Sequence, residues 1–185
     1  QNNDPRMVIA THRHIRSLGL EEDLPMYLLA KLAGFYIDLD QDDLRIKYQV
    51  DPVDAVSGID IKDFSVHLLG LVFNKSEDRD GQEIEGAHYG EGFYQRGRYL
   101  LAQRETVRAL RQFQNAHHYD PRHYLAINAM GEYYRSIRDF ARATEYFTEA
   151  DRTYQEYHRD YGLQPEDETL IAGDHAKILF NLGSL

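Results

Sequence analysis

The second half of the chain carries a clear helical pattern of apolar and polar positions. Apolar residues recur every three or four positions over residues 93–103, 107–118, 125–137 and 141–154, and this spacing is typical of amphipathic α-helices. Asp120-Pro121 lies between the second and third of these segments. A residue that precedes proline is driven out of helical backbone space, so a break is expected there. The pattern therefore predicts two successive pairs of helices.

The two pairs are related by an internal repeat of 34 residues. Aligning residues 90–123 with 124–157 brings small and large apolar residues into register. Five such matches at one spacing predict two copies of one structural unit. The matched pairs are Gly97 with Gly131, Leu100 with Tyr134, Ala109 with Ala143, Phe113 with Phe147, and Ala116 with Ala150.

The repeated glycines and alanines predict how the helices of each unit pack. A glycine inside a helix costs about 1 kcal/mol relative to alanine, so its recurrence at Gly97 and Gly131 indicates a neighbouring helix too close for a side chain. In the second helix of each unit, two alanines flank a phenylalanine at offsets of four and three residues. This small–large–small stripe lies on one helix face and is expected to interlock with a partner helix.

The register resembles the tetratricopeptide repeat (TPR), a 34-residue pair of antiparallel helices. The segment Leu179–Gly183 repeats the first-helix pattern, with Gly183 lying 52 residues after Gly131, so residues 168–185 are read as part of a third unit. Gln155 stands where the repeat would close with proline, so the second helix of unit two is expected to continue beyond residue 157. The resemblance implies an all-α superhelix of helical hairpins over residues 90–185.

Residues 1–89 have a weaker pattern and an uncertain fold. Helical spacing is found over residues 6–17, 24–36 and 63–74, which favours a mostly helical region. Leu69-Gly70 resembles the first helix of a degenerate repeat. Leu44, Ile46, Tyr48 and Val50 alternate with polar residues as in a β-strand that Asp51-Pro52 would stop.

Composition and charge narrow the function. The 185 residues carry a net charge of −10, of which residues 1–89 contribute −8 through 17 acids and nine bases. This balance argues against a general nucleic-acid binder, which is normally basic. No apolar stretch is long enough to predict a membrane span. Cysteine is absent, which leaves the compartment open, with the cytoplasm slightly favoured.

Motifs for catalysis are lacking. The chain has no GxxxxGK[ST] phosphate loop, no GxSxG elbow and no HExxH motif, so neither an enzyme nor a cofactor is predicted. Asp38, Asp40 and Asp42 alternate as in a calcium loop but lack its glycine and its final glutamate, and are read as a solvated acidic turn. A second cluster falls in the turn between the repeats, where it is expected to be exposed rather than to bind a metal: His117, His118, Asp120 and His123.

The resemblance implies a function in protein binding. In TPR proteins the first helices of the units line a concave groove, and the corresponding positions offer aromatic and charged side chains to a partner peptide or helix, with the cations suited to an acidic one. We therefore expect an interaction scaffold. Two alternatives remain: a sensor whose N-terminal module is controlled by ligand binding to the repeats, and a non-catalytic part of a larger enzyme. The positions are Tyr94, Arg98, Leu101, Leu125, Asn128, Glu132, Arg135, Lys177, Phe180 and Ser184.

Overall fold

The structure, a computed structural model, describes residues 4–51, 60–77, 86–161 and 168–185. Over these residues the chain forms α-helices, two single-turn 3-10 helices and connecting turns, without a β-strand. The predicted all-α fold class is therefore confirmed. The chain divides into two compact units, which we call the N-terminal unit (Gln1–Gln82) and the C-terminal unit (Glu83–Leu185).

The first helix of the N-terminal unit has clear start and stop signals. The Asp4 carboxylate accepts a hydrogen bond from the backbone N–H of Arg6 at 3.0 Å, and Pro5 occupies the first helical turn. The chain leaves the helix through Gly19, whose positive φ of 69° suits glycine.

The helices of this unit are α1 (Pro5–Ser17), α2 (Met26–Asp38), α3 (Gln41–Ile46) and α4 (Phe64–Glu77). The three predicted helices correspond to α1, α2 and α4 and are therefore confirmed.

The core of the N-terminal unit is formed where α2 packs against α4. Tyr36 of α2 and Phe64 of α4 are both almost completely buried, with ring centroids 5.6 Å apart. The imidazole of His12 brings α1 into this core, since its ring lies 5.4 Å from Tyr36 and 5.6 Å from Phe64.

The strand interpretation of residues 44–50 is wrong. The segment begins as α3, because the Asp40 carboxylate accepts hydrogen bonds from the backbone N–H groups of Asp42, at 2.7 Å, and Asp43, at 3.3 Å. Leu44 is buried whereas Ile46 is mostly exposed, so the alternating apolar residues do not share one face. Within the acidic turn Asp40 therefore acts as a helix cap.

The C-terminal unit is a row of helices in which each packs against the next. Its helices are α5 (Gly86–Ala102), α6 (Thr106–Tyr119), α7 (Tyr124–Ser136), α8 (Phe140–Tyr161) and α9 (Glu168–Gly183). Contacts join α5 to α6, α6 to α7, α7 to α8, and α8 to α9, and α7 also touches α9. The four predicted helices are confirmed, and α8 continues to Tyr161 as the missing proline predicts.

The repeated glycines lie where two helices approach closely. A Cβ atom built on Gly131 would lie 2.5 Å from the ring of Phe147, and one built on Gly97 would overlap the ring of Phe113 in the same way. The flanking alanines of the stripe, such as Ala109 in α6, are fully buried. The close approach predicted at the repeated glycines is thus found in both helix pairs, and the structure shows that the phenylalanine of the stripe is what meets each glycine.

This packing predicts the effect of adding one methyl group. Gly131→Ala forces the Phe147 ring to move, and overpacking of this kind costs about 1–3 kcal/mol. The matched control is Gly70→Ala in α4, where an added Cβ meets nothing within 4 Å and the higher helix propensity of alanine is stabilising by up to about 1 kcal/mol. Thermal unfolding followed by circular dichroism should show a lower Tm for Gly131→Ala than for the control. Equal Tm values would contradict the packing.

Candidate functional site

Side chains from α5, α7 and α9 meet along one side of the C-terminal unit. We call this surface the α5–α7–α9 face and define it by the positions that the resemblance selected. Three contacts show that these helices are neighbours there. Lys177 of α9 lies 3.1 Å from the Glu132 carboxylate of α7, Arg135 of α7 donates to the Ser184 hydroxyl at 2.8 Å, and the Tyr94 ring of α5 lies 4.7 Å from the ring of His123, next to α7.

A buried polar network joins α7 to α9. Asn181 and Asn128 are both only 2% exposed. The side-chain amide of Asn181 donates to Asn128 Oδ1 at 3.0 Å and to Glu132 Oε1 at 3.2 Å. Asn128 also donates to Glu132 at 3.2 Å. One carboxylate therefore accepts from two buried amides and is neutralised by the ammonium of Lys177, which satisfies groups that would be costly to bury unpaired.

A second polar chain lies on α5. The buried Glu91 carboxylate accepts from Gln95 at 2.6 Å and lies 3.2 Å from His123 Nε2. His123 Nδ1 accepts from the backbone N–H of Ala126 at 3.2 Å, so the imidazole carries its proton on Nε2 and donates it to Glu91. His123 was predicted to lie in an exposed turn, and this is wrong: it is buried and caps α7.

Tyr94 is partly buried, and its ring packs against the core of the unit. The centroid of the Tyr94 ring lies 5.9 Å from that of Phe113. The guanidinium carbon of Arg98 lies 5.8 Å from the same Tyr94 centroid. Burial raises the pKa of Tyr94 well above its ordinary value of 10.0, and the nearby Glu91, Asp174 and Glu132 add to that effect while Arg98 opposes it. The phenol therefore stays neutral at any physiological pH, and it forms part of the floor of the face.

The other positions differ in how much of each side chain is accessible. Phe180 is 72% exposed on α9, and Leu101 is exposed on the last turn of α5. Leu125 is partly buried in the first turn of α7. The Arg98 guanidinium donates to the side-chain oxygen (Oε1) of Gln95 at 3.0 Å. The guanidinium carbon of Arg135 lies 5.7 Å from the Phe147 ring centroid. The accessible part of the face thus combines an aromatic ring, a leucine and cationic groups, above a floor of satisfied polar groups.

The N-terminal unit contains a cluster that sequence reasoning missed. Glu21 bridges two histidines: its Oε1 lies 2.6 Å from His12 Nε2, and its Oε2 lies 2.8 Å from His67 Nε2. His12 Nδ1 lies 2.7 Å from the Tyr36 hydroxyl, and Arg16 Nε is 3.5 Å from Glu21. Because His67 is 46 residues away from Glu21, no local motif in the sequence could have linked them.

The contacts of this cluster determine which of His12 and Glu21 carries a charge. Burial lowers the pKa of His12 below its ordinary 6.5, although the hydrogen bond to Glu21 opposes that shift. For Glu21, burial alone would raise the pKa, but hydrogen bonds from His67 and His12 outweigh it and hold the value below the ordinary 4.5. His12 is therefore neutral, donating from Nε2 to an ionised Glu21 and accepting from Tyr36 at Nδ1.

Metal binding has no geometric support among the residues that the structure describes, where no group of three or more histidine, aspartate or glutamate side chains is arranged to hold an ion. The histidines near residue 120 point to separate partners: His117 lies 3.8 Å from Glu149, while His123 is bound to Glu91. Within the same described ranges, no helix is sufficiently long and apolar to cross a lipid bilayer.

The chain matches no protein-family model, and no curated protein gives a significant match.

The His12–Glu21 pair predicts how the N-terminal unit responds to acid. Both pKa values are lower in the folded state, so the unfolded chain binds more protons and the stability of this unit decreases as the pH falls below about 6.5. Hydrogen exchange of the α1 and α4 amides, corrected for its intrinsic pH dependence, should accelerate between pH 7 and pH 5. The variant His12→Gln keeps a donor for Glu21 without titrating, so it should be less stable at pH 7 and less sensitive to pH. An equally steep pH dependence in that variant would show that His12 is not responsible.

Proposed function

We propose that the C-terminal unit is a TPR-type scaffold that binds a segment of a partner protein across the α5–α7–α9 face. The single observation that carries the proposal is that two helix pairs, 34 residues apart, use equivalent residues for equivalent contacts: Gly97 with Phe113, and Gly131 with Phe147. In a repeat stack of this kind the first helices, here α5, α7 and α9, would lie in one row, and the contacts between α7 and α9 support that arrangement. Such a row offers an extended surface for a peptide or a helix.

The exposed groups of the face favour protein binding. Aromatic and arginine side chains are enriched at the energetic centres of protein interfaces, and Phe180 leaves most of its ring in contact with solvent. The polar groups beneath it are already paired with one another, as in the Asn128–Glu132–Asn181 network. This rigid and satisfied floor supports binding through the outer side chains, without a catalytic role for the buried ones.

The charge of the face favours an acidic partner segment. Its carboxylate, Glu132, is engaged within the protein by Lys177 and the two asparagines, and the neighbouring Glu91 is engaged by Gln95 and His123. The Arg135 guanidinium donates to the neutral hydroxyl of Ser184 and retains further N–H donors. A carboxylate of a partner can accept from such donors in a charge-assisted, bidentate hydrogen bond.

The proposal predicts selective binding of acidic peptides. The probes are two labelled 14-residue amphipathic peptides with identical apolar positions, one with glutamate and one with lysine at every charged position. We expect the acidic peptide to bind and the basic one not to bind, as measured by fluorescence anisotropy. Arg98→Glu combined with Arg135→Glu should weaken binding of the acidic peptide by tenfold or more, with the helical circular dichroism of the folded protein retained.

The control for this experiment has the same change in net charge away from the face. Arg104 and Arg138 are exposed and occupy equivalent turns after α5 and α7, with φ values of 62° and 63°. The double variant Arg104→Glu with Arg138→Glu should bind the acidic peptide with almost unchanged affinity. Equal weakening by both double variants would reduce the effect to net charge, and no weakening by either would refute the assignment of the face.

A further inference from the structure

Lys177 of α9 is paired with a carboxylate of the same α5–α7–α9 face. Its ammonium lies 3.1 Å from Glu132 Oε1 of α7, and the lysine side chain is 57% exposed whereas that of the glutamate is 28% exposed. The lysine is therefore the member of this ion pair that a partner can reach, and the glutamate is the more covered member.

Glu132 is held in place by buried groups. Its Oε1 also accepts from the side-chain amides of Asn128 and Asn181, each at 3.2 Å, and both asparagines are almost completely buried. If the carboxylate moved away, those donors would lose an acceptor, which costs free energy in a buried position. Glu132 therefore stays in place, and Lys177, whose ammonium is carried on a flexible four-carbon stem, is the member that can change partners.

Arg135, another cation that bridges α7 and α9, has a different kind of partner. Its guanidinium donates to the neutral hydroxyl of Ser184 at 2.8 Å, and that contact does not balance its positive charge. The charge of Lys177, in contrast, is balanced by the Glu132 carboxylate. An acidic segment on this face therefore meets two cations of unequal strength, and the difference arises from one carboxylate.

We propose that Glu132 is a specificity-determining residue of the α5–α7–α9 face and acts as an internal competitor for Lys177. This role rests on the proposed function, and it determines how tightly an acidic segment binds. A carboxylate of the partner takes the place of Glu132 on the Lys177 ammonium, while Glu132 keeps its hydrogen bonds from the asparagines. Two carboxylates then lie close to one cation, and their repulsion weakens binding.

The test measures the affinity of the acidic 14-residue peptide for the variant Glu132→Gln by fluorescence anisotropy. Glutamine keeps a side-chain oxygen that accepts from Asn128 and Asn181, but it carries no negative charge, so Lys177 becomes available to the peptide. We expect the peptide to bind about fivefold more tightly than to the unmodified chain, with the helical circular dichroism retained. Equal or weaker binding by the folded variant would overturn the proposal.

The matched control removes a carboxylate from an ion pair away from the face. Asp139, in the turn after α7, lies 3.4 Å from Arg142 Nε, and its Oδ1 accepts from the backbone N–H of Arg142 at 3.2 Å. Asp139→Asn keeps that acceptor and changes the net charge by the same amount as Glu132→Gln. It should bind the acidic peptide with almost unchanged affinity. An equal gain in both variants would reduce the effect to net charge and would also contradict the proposal.

A second measurement uses the unmodified chain and needs no variant. Lys177 is the only lysine among residues 83–185, so its acetylation by an N-hydroxysuccinimide ester can be followed by mass spectrometry. At a concentration of about ten times its Kd, the acidic peptide should slow this acetylation by up to about tenfold, because a peptide carboxylate covers the ammonium in the bound state. The same peptide with glutamine at every charged position should not. An unchanged rate with the acidic peptide bound would overturn the proposal.

The role of Glu132 and the function on which it rests fail in distinguishable ways. If the acidic peptide binds neither the unmodified chain nor Glu132→Gln, the proposed function is refuted and the role of Glu132 with it. If the peptide binds the unmodified chain and Arg98→Glu with Arg135→Glu weakens that binding, but Glu132→Gln brings no gain, the proposed function stands and only the competition for Lys177 is refuted.

Discussion

The close contact between a glycine and a phenylalanine ring organises the C-terminal unit. Gly131 has no side chain, so the Phe147 ring of α8 packs directly against the α7 backbone at this position. Alanines on either side of the ring, Ala143 and Ala150, are fully buried, so the two helices approach along most of their shared length. Because Gly97 and Phe113 repeat this contact in the preceding pair, one local constraint fixes the geometry of both hairpins.

A buried polar network links α7 to α9 in the same unit. Once α7 and α9 lie side by side, Asn128 and Asn181 are buried between them and must be satisfied there, which the Glu132 carboxylate accomplishes. The same alignment leaves Phe180 and the outer cations exposed. The α7–α9 contact therefore has a satisfied polar interior and an accessible, chemically mixed exterior.

Much of this architecture could be predicted from the sequence, because the packing contacts recur at fixed offsets. The spacing of the glycines, alanines and phenylalanines predicted the helices and the close approach of neighbouring helices. That a phenylalanine ring meets each glycine became evident only in the structure. Local patterns were less reliable where a cap decided the outcome: Asp40 starts a helix within a segment that alternates like a strand. His123 was misplaced for a similar reason, because its role as a cap and its bond to Glu91 depend on a helix 32 residues away. The His12–Glu21–His67 cluster is a product of tertiary structure, and it left no signal in the sequence.

Gly131 and Phe147 are coupled by direct contact, and a double-mutant cycle tests this coupling most directly. The four proteins are the unmodified chain, Gly131→Ala, Phe147→Leu and the double variant, each measured by thermal and denaturant unfolding. Because the smaller leucine makes room for the added methyl group, we predict that Gly131→Ala destabilises the unmodified chain but is neutral or stabilising when combined with Phe147→Leu, with a coupling energy of about 1 kcal/mol or more. Additive effects of the two substitutions would contradict the account.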